Sequence, residues 1–366
     1  MSRPEIQPED IAAVVEVLKS GTLSLGAAQQ AFETAFADYI GTKHAVAVSS
    51  GTAGLHLCMR VLDIAPGDEV ITSPFGFVSS ANAILYEGGK PVFADIDEDT
   101  LSFTAQTASQ LVTGRTRALL PVHVFGQPGD LDGYLDLADR RGIALVEDAC
   151  EALGTVYRGR KVGGFGQTAV FSFYPNKQIT TGEGAIITTN DDAIAAHLRS
   201  LRNQGRDEMG TWLDYVRLGY NYRLDEMSAA LGLSQLRRVE SQLEKRARVA
   251  TAYRRSLADL AGVRLPAVLP TTSRMSWFVF VIRLEEGIDR DRIARRLQAR
   301  GIPSRAYFSP LHLQPYMREK FGFKPGDFPV TEKVSASTLA LPFHGGLEES
   351  EIELVVNGLR DAIAAG

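Results

Sequence analysis

The sequence predicts an α/β fold, with a large domain built on a mainly parallel sheet covered by helices and a smaller C-terminal α+β domain. Patterns typical of strands and helices alternate through the first part of the chain, which favours a parallel sheet with helices on both faces. A strand-like run and a separate helical pattern follow near the C-terminus. The chain has 366 residues, more than a single hydrophobic core usually supports.

The spacing of apolar residues predicts the elements of the larger domain. The first helix is predicted over residues 8–18, because an early proline and acidic residues begin it and Gly21 follows its end. Further helices are predicted at 32–39, 53–62, 79–86, 130–141 and 193–202. Strands are predicted at 44–48, 69–72, 92–94, 118–123, 144–147, 169–173 and 185–188.

A long helical pattern at 225–257 is predicted to connect the two domains. The smaller domain then contains a strand-like run, WFVFVIRL at 277–284, and a helix at 289–300. We place the boundary so that residues 1–247 form the larger domain and residues 248–366 the smaller one. The N-terminal helix could also pack on the smaller domain.

Composition disfavours several classes of protein. The net charge of −5 disfavours a nucleic-acid or anionic-membrane partner, because either needs a dense basic patch. The N-terminus lacks the basic and apolar runs of a signal peptide, and no apolar stretch reaches membrane-span length. Cys58 and Cys150 lie in apolar segments, which predicts reduced thiols and a cytoplasmic protein. The six histidines have no metal-ligand spacing, so we expect no metal.

A candidate phosphate site follows the strand that ends at Val48. The segment SSGTAGLHL at 49–57 places small residues at the start of a predicted helix. Backbone N–H groups at a helix N-terminus attract anions, and small residues let a phosphate approach closely. An ordinary glycine-containing turn with a serine cap would look the same, so this segment alone leaves both readings open.

A candidate partner for a cationic ring lies in the segment VEDACEALG at 146–154. The apolar strand before it delivers Glu147 and Asp148 at its carboxyl end. A buried carboxylate is costly unless it meets a cation, and a protonated pyridine nitrogen is such a cation. The alternative is that Asp148 caps the helix that follows.

Lys177 lies between two predicted strands in FSFYPNKQITTGEGA at 171–185. A lone lysine in a loop is usually solvated. Here an apolar strand precedes it, Pro175 restricts the chain before it, and Gly182 and Gly184 allow close approach of the backbone behind it. The sequence therefore predicts a partly buried amine, which is suited to forming a covalent bond with an aldehyde.

Together with GYNYRLDEMSAALG at 219–232, these segments resemble the DegT/DnrJ/EryC1/StrS family of sugar aminotransferases. The similarity extends from LSLG at Leu23 to LALPFH at Leu339. The resemblance implies a fold-type-I, aspartate-aminotransferase-like enzyme that uses pyridoxal 5'-phosphate (PLP). Some family members carry histidine in place of the lysine and catalyse dehydration, so Lys177 favours transamination.

The resemblance implies catalytic roles for matching residues. Lys177 corresponds to the lysine that binds PLP covalently, and Asp148 to the carboxylate that pairs with the ring nitrogen. Phe77 corresponds to an aromatic residue that stacks on the cofactor. Glu151 corresponds to a position near the ring where relatives carry Gln, His or Glu.

Phosphate binding is implied for a second group of residues. Thr52 and Ala53 correspond to the family's phosphate loop, and Ser172 to its phosphate-binding serine. Asn221 corresponds to an asparagine that reaches the phosphate of the neighbouring subunit's cofactor. The resemblance thus implies a homodimer with composite active sites.

The implied reaction moves an amino group from glutamate onto a nucleotide-linked 4-keto-6-deoxy sugar. A 3-keto-sugar nucleotide, a cyclitol ketone and a non-enzymatic sensor on the same fold stay open as alternatives. A dinucleotide-dependent oxidoreductase is disfavoured, because the GGFG run at 163–166 lacks the GxGxxG spacing. Tyr307 and His312 are candidate substrate residues, and similar roles for Arg305 and His344 are left open.

Overall fold

The computed structural model describes residues 3–206 and 214–365 as an α/β protein. Its strands are β1 (His44–Val48), β2 (Glu69–Thr72), β3 (Lys90–Phe93), β4 (Thr116–Leu120), β5 (Ala144–Asp148), β6 (Val156–Tyr157), β7 (Arg160–Lys161), β8 (Thr168–Ser172), β9 (Ala185–Thr189), β10 (Val263–Arg264), β11 (Thr272–Arg274), β12 (Phe280–Leu284) and β13 (Thr338–Leu341). Its helices are α1 (Pro8–Ser20), α2 (Ala27–Ile40), α3 (Gly51–Val61), α4 (Ser79–Tyr86), α5 (Ala105–Leu111), α6 (Leu131–Arg141), α7 (Asp192–Arg202), α8 (Glu226–Leu236), α9 (Val239–Ser256), α10 (Arg290–Ala299), α11 (Pro315–Phe321), α12 (Pro329–Ser337) and α13 (Glu349–Ala364).

The central sheet has seven strands in the order β1-β9-β8-β5-β4-β2-β3. The five strands from β8 to β3 run parallel to one another, whereas β9 is antiparallel to both β8 and β1. The predicted mainly parallel sheet is therefore confirmed. Because parallel strands end at the same edge of a sheet, Asp148 at the end of β5 and Ser172 at the end of β8 lie at one edge.

Helices cover both faces of this sheet, and the alternation of side chains along β8 shows why. Phe171 points to one face, where its ring lies 5.2 Å from that of Phe36 on α2. Val170 points to the other face and joins the cluster that contains Leu55 of α3. Each fully buried side chain of this size contributes about 1.5–3 kcal/mol. The sheet is thus a rigid platform for the segments at its carboxyl edge.

A second hydrophobic core lies around the three-stranded sheet β10-β12-β13 and includes residues of α9, α10 and α13. A third, small sheet pairs β11 with β6, so that a strand from the last third of the chain joins one from the first half. The predicted boundary after residue 247 falls inside the continuous helix α9. The division into domains 1–247 and 248–366 stays a prediction.

The predicted connecting helix differs from the structure. The pattern at 225–257 forms two helices, α8 and α9, because the chain turns at residues 237–238. This turn brings Arg238 to within 2.6 Å of the buried Asp10, an ion pair between distant segments that local periodicity cannot reveal. Asp10 also accepts a hydrogen bond from Ser234 of α8, which helps to explain why α1 packs on α8. Across residues 3–206 and 214–365, no helix is long and apolar enough to cross a membrane.

Candidate active site

A cavity of about 450 Å³ opens at the carboxyl edge of the central sheet. This volume is within the range of small-molecule and cofactor sites. Its lining includes seven residues predicted from the sequence: Thr52, Phe77, Asp148, Glu151, Ser172, Lys177 and Tyr307. The structure therefore brings together, from widely separated segments, most of the side chains that the sequence motifs singled out.

Lys177 follows β8 in a turn in which its backbone N–H donates to the carbonyl of Tyr174. Its side chain is only 12% exposed. The amine Nζ lies 3.5 Å from Oε1 of Glu151 and 4.1 Å from the centre of the Phe278 ring. The predicted partly buried amine is confirmed, and it lines the cavity.

Asp148 ends β5 with its carboxylate at the cavity wall. Its Oδ2 accepts a hydrogen bond from the Ser80 hydroxyl on α4, and its Oδ1 accepts one from the backbone N–H of Cys150 at 3.2 Å. These two donors fix the orientation of an almost fully buried carboxylate. Because neither donor carries a charge, the carboxylate can still pair with a cation in the cavity.

Glu147, one residue earlier on β5, has a different environment because strand side chains alternate between faces. Its carboxylate accepts hydrogen bonds from the backbone N–H groups of Gly163, Phe165 and Gly166 at 2.8–2.9 Å, and lies 3.1 Å from Nε2 of His123. Burial alone would raise the pKa of Glu147, but the hydrogen bonds from His123 and from this loop hold the pKa below its usual value. The GGFG loop thus serves to satisfy a buried carboxylate.

Glu151 lies beside Lys177 in the cavity. Its Oε2 accepts a hydrogen bond from the backbone N–H of Phe125 at 2.8 Å. Burial raises the pKa of the Glu151 carboxyl, and the nearby Lys177 amine and the Phe125 N–H offset part of this rise. Glu151 therefore holds a proton more readily than an exposed glutamate does.

One end of the cavity has the features of an anion site. Ser50 caps the N-terminus of α3, and Gly51, Thr52 and Ser172 line the wall beside it. A Cβ atom on Gly51 would lie 3.3 Å from both Cys150 Sγ and Ser172 Cβ, so only glycine leaves this corner open. Ala53 is buried and does not line the cavity, and its N–H donates to Ser50 Oγ at 3.1 Å. The predicted contact of Ala53 with a phosphate is therefore not supported by this geometry.

Aromatic side chains form much of the remaining wall. Phe77 and Tyr307 were predicted, whereas Tyr174, Phe278 and Phe308 were not. Tyr174 lies in the same motif as Lys177 and could have been inferred from it. Phe278 and Phe308 come from the part of the chain after α9, and only the neighbouring Tyr307 could have indicated Phe308.

Two further residues of the predicted site lie outside the cavity. His312 is fully buried away from the cavity, because its Nε2 lies 3.0 Å from Oε1 of Glu332 and its ring packs on Phe328. It is thus a structural histidine rather than a substrate residue. Asn221 is exposed and outside the cavity of its own chain. Neither Arg305 nor His344 lines the cavity.

The residues present fit the chemistry of PLP. A lysine amine, a buried carboxylate with neutral donors and a glycine-lined helix N-terminus surround one cavity of sufficient size. These are the groups needed for the aldehyde, the ring nitrogen and the phosphate. Fold and site together define a PLP-dependent aminotransferase.

Comparison with known proteins identifies the family. Residues 4–360 match the model of the DegT/DnrJ/EryC1/StrS aminotransferase family, and the chain belongs to that family. GDP-perosamine synthase of Caulobacter vibrioides is 42% identical over 331 residues, which cover 90% of this chain and 88% of that protein.

Solved structures show the same fold over nearly the whole chain. DesV of S. venezuelae, solved with a ketimine intermediate, is 38% identical with a TM-score of 0.91 over 96% of this chain and 94% of its own. Spr1654 of Streptococcus pneumoniae, solved in its PMP form, is 27% identical with a TM-score of 0.94 over 100% of this chain and 98% of its own. PMP is the aminated form of PLP, which agrees with the cofactor that the site fits.

Proposed function

We propose that this enzyme transfers an amino group from glutamate to the keto group of a nucleotide-linked 4-keto-6-deoxy sugar. The observation that carries the proposal is the meeting of Lys177 and Asp148 in one cavity at the carboxyl edge of the sheet. The similarity to a relative named for a GDP-linked product supports a nucleotide carrier. A 3-keto-sugar nucleotide and a cyclitol ketone are the alternative acceptors.

Bound PLP supplies an aldehyde that carries the amine and a ring that accepts electrons. Lys177 would hold the cofactor, and its free amine would accept a proton from the substrate carbon. Asp148, oriented by Ser80, keeps the ring nitrogen protonated. Burial raises the pKa of Glu151, and its Oε1 accepts a hydrogen bond from the Lys177 amine at 3.5 Å.

Thr52 and Ser172 are proposed to bind the cofactor phosphate at the N-terminus of α3, where the helix dipole favours an anion. Phe77 is proposed to stack on the ring, since its side chain lines the cavity although it is 59% exposed. Tyr307 is the remaining predicted substrate residue, because its side chain lines the same cavity.

We further propose a homodimer in which Asn221 reaches the cofactor of the partner subunit. Tyr220 and Tyr222, the neighbours of Asn221, stack on each other at 5.0 Å and pack on His56. Asn221 between them is exposed, as a residue that serves another subunit must be. A cytoplasmic location is proposed because Cys58 and Cys150 are both free thiols.

The function is tested in two steps. The purified protein should be yellow from bound PLP, and glutamate should bleach this colour if the first half of the transamination takes place. Colour without bleaching would favour the non-enzymatic sensor. A screen of keto-sugar nucleotides and cyclitol ketones with glutamate, read by mass spectrometry, should then show a product in which oxygen is replaced by an amine. Bleaching without any aminated sugar would contradict the proposed acceptor class.

A further inference from the structure

A buried arginine lies behind the cavity. Arg246, on α9, is 5% exposed. Within residues 3–206 and 214–365, no carboxylate lies within ion-pair distance of its guanidinium, and burial lowers the pKa of Arg246 to about 10. It therefore keeps its charge at neutral pH. Burying a cation without a counter-ion costs free energy of folding, so its hydrogen-bond partners indicate its role.

Those partners are three backbone carbonyl groups from both sides of the cavity. Nη2 donates to the carbonyl of Lys177 at 3.0 Å, and Nη1 donates to the carbonyls of Trp277 and Phe278 at 3.2 Å. The planar guanidinium has donors in several directions and can hold both segments at once, which a lysine ammonium on a flexible chain does poorly. A second link joins the same segments, since Gln178 Nε2 donates to Ser276 Oγ at 2.9 Å.

The segment that Arg246 holds carries an aromatic ring that contacts the amine. Trp277 has a left-handed backbone conformation with φ of 52°, which is rare for a bulky residue and has to be stabilised by its surroundings. The next residue, Phe278, lines the cavity with its ring centre 4.1 Å from Lys177 Nζ. An aromatic face attracts an ammonium group, which is the form that a released lysine takes after accepting a proton.

We propose that Arg246 is a positioning residue that, through the carbonyls of Lys177, Trp277 and Phe278, holds the Phe278 ring against the Lys177 amine. The inference rests on the proposed function of Lys177. It assigns to Phe278 the task of keeping the released amine, in its protonated form, within reach of the reacting carbon. Loss of either residue should therefore slow proton transfer more than it weakens substrate binding.

The test uses Arg246→Lys, Phe278→Leu and the double variant as holoenzymes. Arg254→Lys is the matched control, because Arg254 lies on the same helix and donates to a backbone carbonyl, that of Pro266, away from the cavity. Each single variant should lower the single-turnover rate with glutamate about tenfold, while KM stays within about twofold. The double variant should be no slower than the single ones, since both lesions remove the same contact.

Three outcomes decide the matter. A double variant whose fold loss in rate equals the product of the two single losses would overturn the proposal. So would an Arg246→Lys rate equal to that of Arg254→Lys. A wild-type rate in Phe278→Leu would do so even if Arg246→Lys fails to fold. Borohydride reduction of each holoenzyme distinguishes failure of this inference from failure of the proposed function. Cofactor attached to Lys177 in all variants would support the proposed function whatever their rates are. A wild-type protein without cofactor attached to Lys177 would contradict the proposed function itself.

Discussion

Lys177 is the residue on which the proposed chemistry depends most. Among residues 3–206 and 214–365, it is the one lysine that lines the cavity. Replacing it removes both the covalent attachment and the group that moves the proton. Its side chain lines the cavity and its amine contacts Glu151 and Phe278, so we expect the fold not to depend on it.

Lys177→Ala should therefore lower turnover by about three orders of magnitude or more. The urea midpoint should stay close to that of the wild type. Borohydride reduction of the wild type should attach the cofactor to the peptide that contains Lys177, which peptide mapping can measure. Lys90→Ala, at a half-exposed lysine far from the site, is the control and should stay active. A label on any other lysine would show that the assignment is wrong.

Asp148→Asn keeps the shape of the side chain but removes its charge. Proton abstraction should slow about 100-fold or more, because the ring nitrogen is no longer held protonated, while cofactor affinity changes much less. Stopped-flow absorbance during the reaction with glutamate measures the step. Ser80→Ala removes one hydrogen bond but leaves the charge, so its effect should be smaller. Equal rates for Asp148→Asn and the wild type would refute the role.

Several site residues could be predicted because each lies at, or a few residues beyond, the carboxyl end of a buried strand. Lys177, Asp148 and Ser172 belong to this group, and a parallel sheet brings the ends of its strands together. His312 could not be excluded from the sequence, because the groups that bury it, Glu332 and Phe328, approach it only in the folded chain. The motif at 49–57 likewise could not show whether its small residues cap a helix or bind a phosphate.

At the scale of elements, the loop at 163–166 shows how backbone geometry serves a buried side chain. Gly163 has φ of 90°, and a Cβ atom there would lie 2.2 Å from the Phe171 ring. Gly163→Ala should therefore destabilise the protein by about 2 kcal/mol or more, through strain and overpacking. Gly159→Ala is the matched control: its φ is 83° and nothing lies within 4 Å of the added Cβ. Urea unfolding should show a clearly larger loss for Gly163→Ala, and equal losses would contradict this account.

The carboxylate inside that loop makes stability depend on pH. Because the pKa of Glu147 is lower in the folded protein than its usual 4.5, its contribution is present above pH 4.5 and is lost as the pH falls through the lowered pKa. Glu147→Gln should cost about 2–4 kcal/mol at pH 7, and this difference should shrink below pH 4.5. Urea unfolding of both proteins between pH 3 and 7 measures it. A difference that does not change with pH would argue against an ionised Glu147.

The bounds of individual strands and helices could be predicted better than the way these elements pair and pack. The spacing of apolar residues gave β1, β2 and α4 with correct bounds, because most side chains of each element are buried. The antiparallel direction of β9 could not be predicted, since it depends on which strands it lies between. The break between α8 and α9 depends on the distant Asp10 in the same way.

At the scale of the whole molecule, the proposed composite site predicts complementation. Co-expressed Lys177→Ala and Asn221→Ala chains should form heterodimers in which one site carries both lesions and the other carries none. Activity should return to about half that of a wild-type dimer per heterodimer, measured after purification on two different tags.

The control for complementation is Lys177→Ala with Asp148→Ala. Both residues line the cavity of a single chain, so every site in that heterodimer carries a lesion and activity should stay low. If the pair that includes Asn221 also shows no recovery, with heterodimers confirmed by their tags, Asn221 does not serve the partner's site.

The cavity has walls of two origins. Lys177, Asp148 and Thr52 come from the central sheet and its helices, whereas Phe278, Tyr307 and Phe308 come from the chain after α9. Substitutions at Tyr307 and Phe308 can therefore change the second wall without disturbing Lys177, Asp148 or Thr52. Related enzymes with this arrangement can therefore come to accept different sugars while the residues proposed to hold the cofactor stay the same.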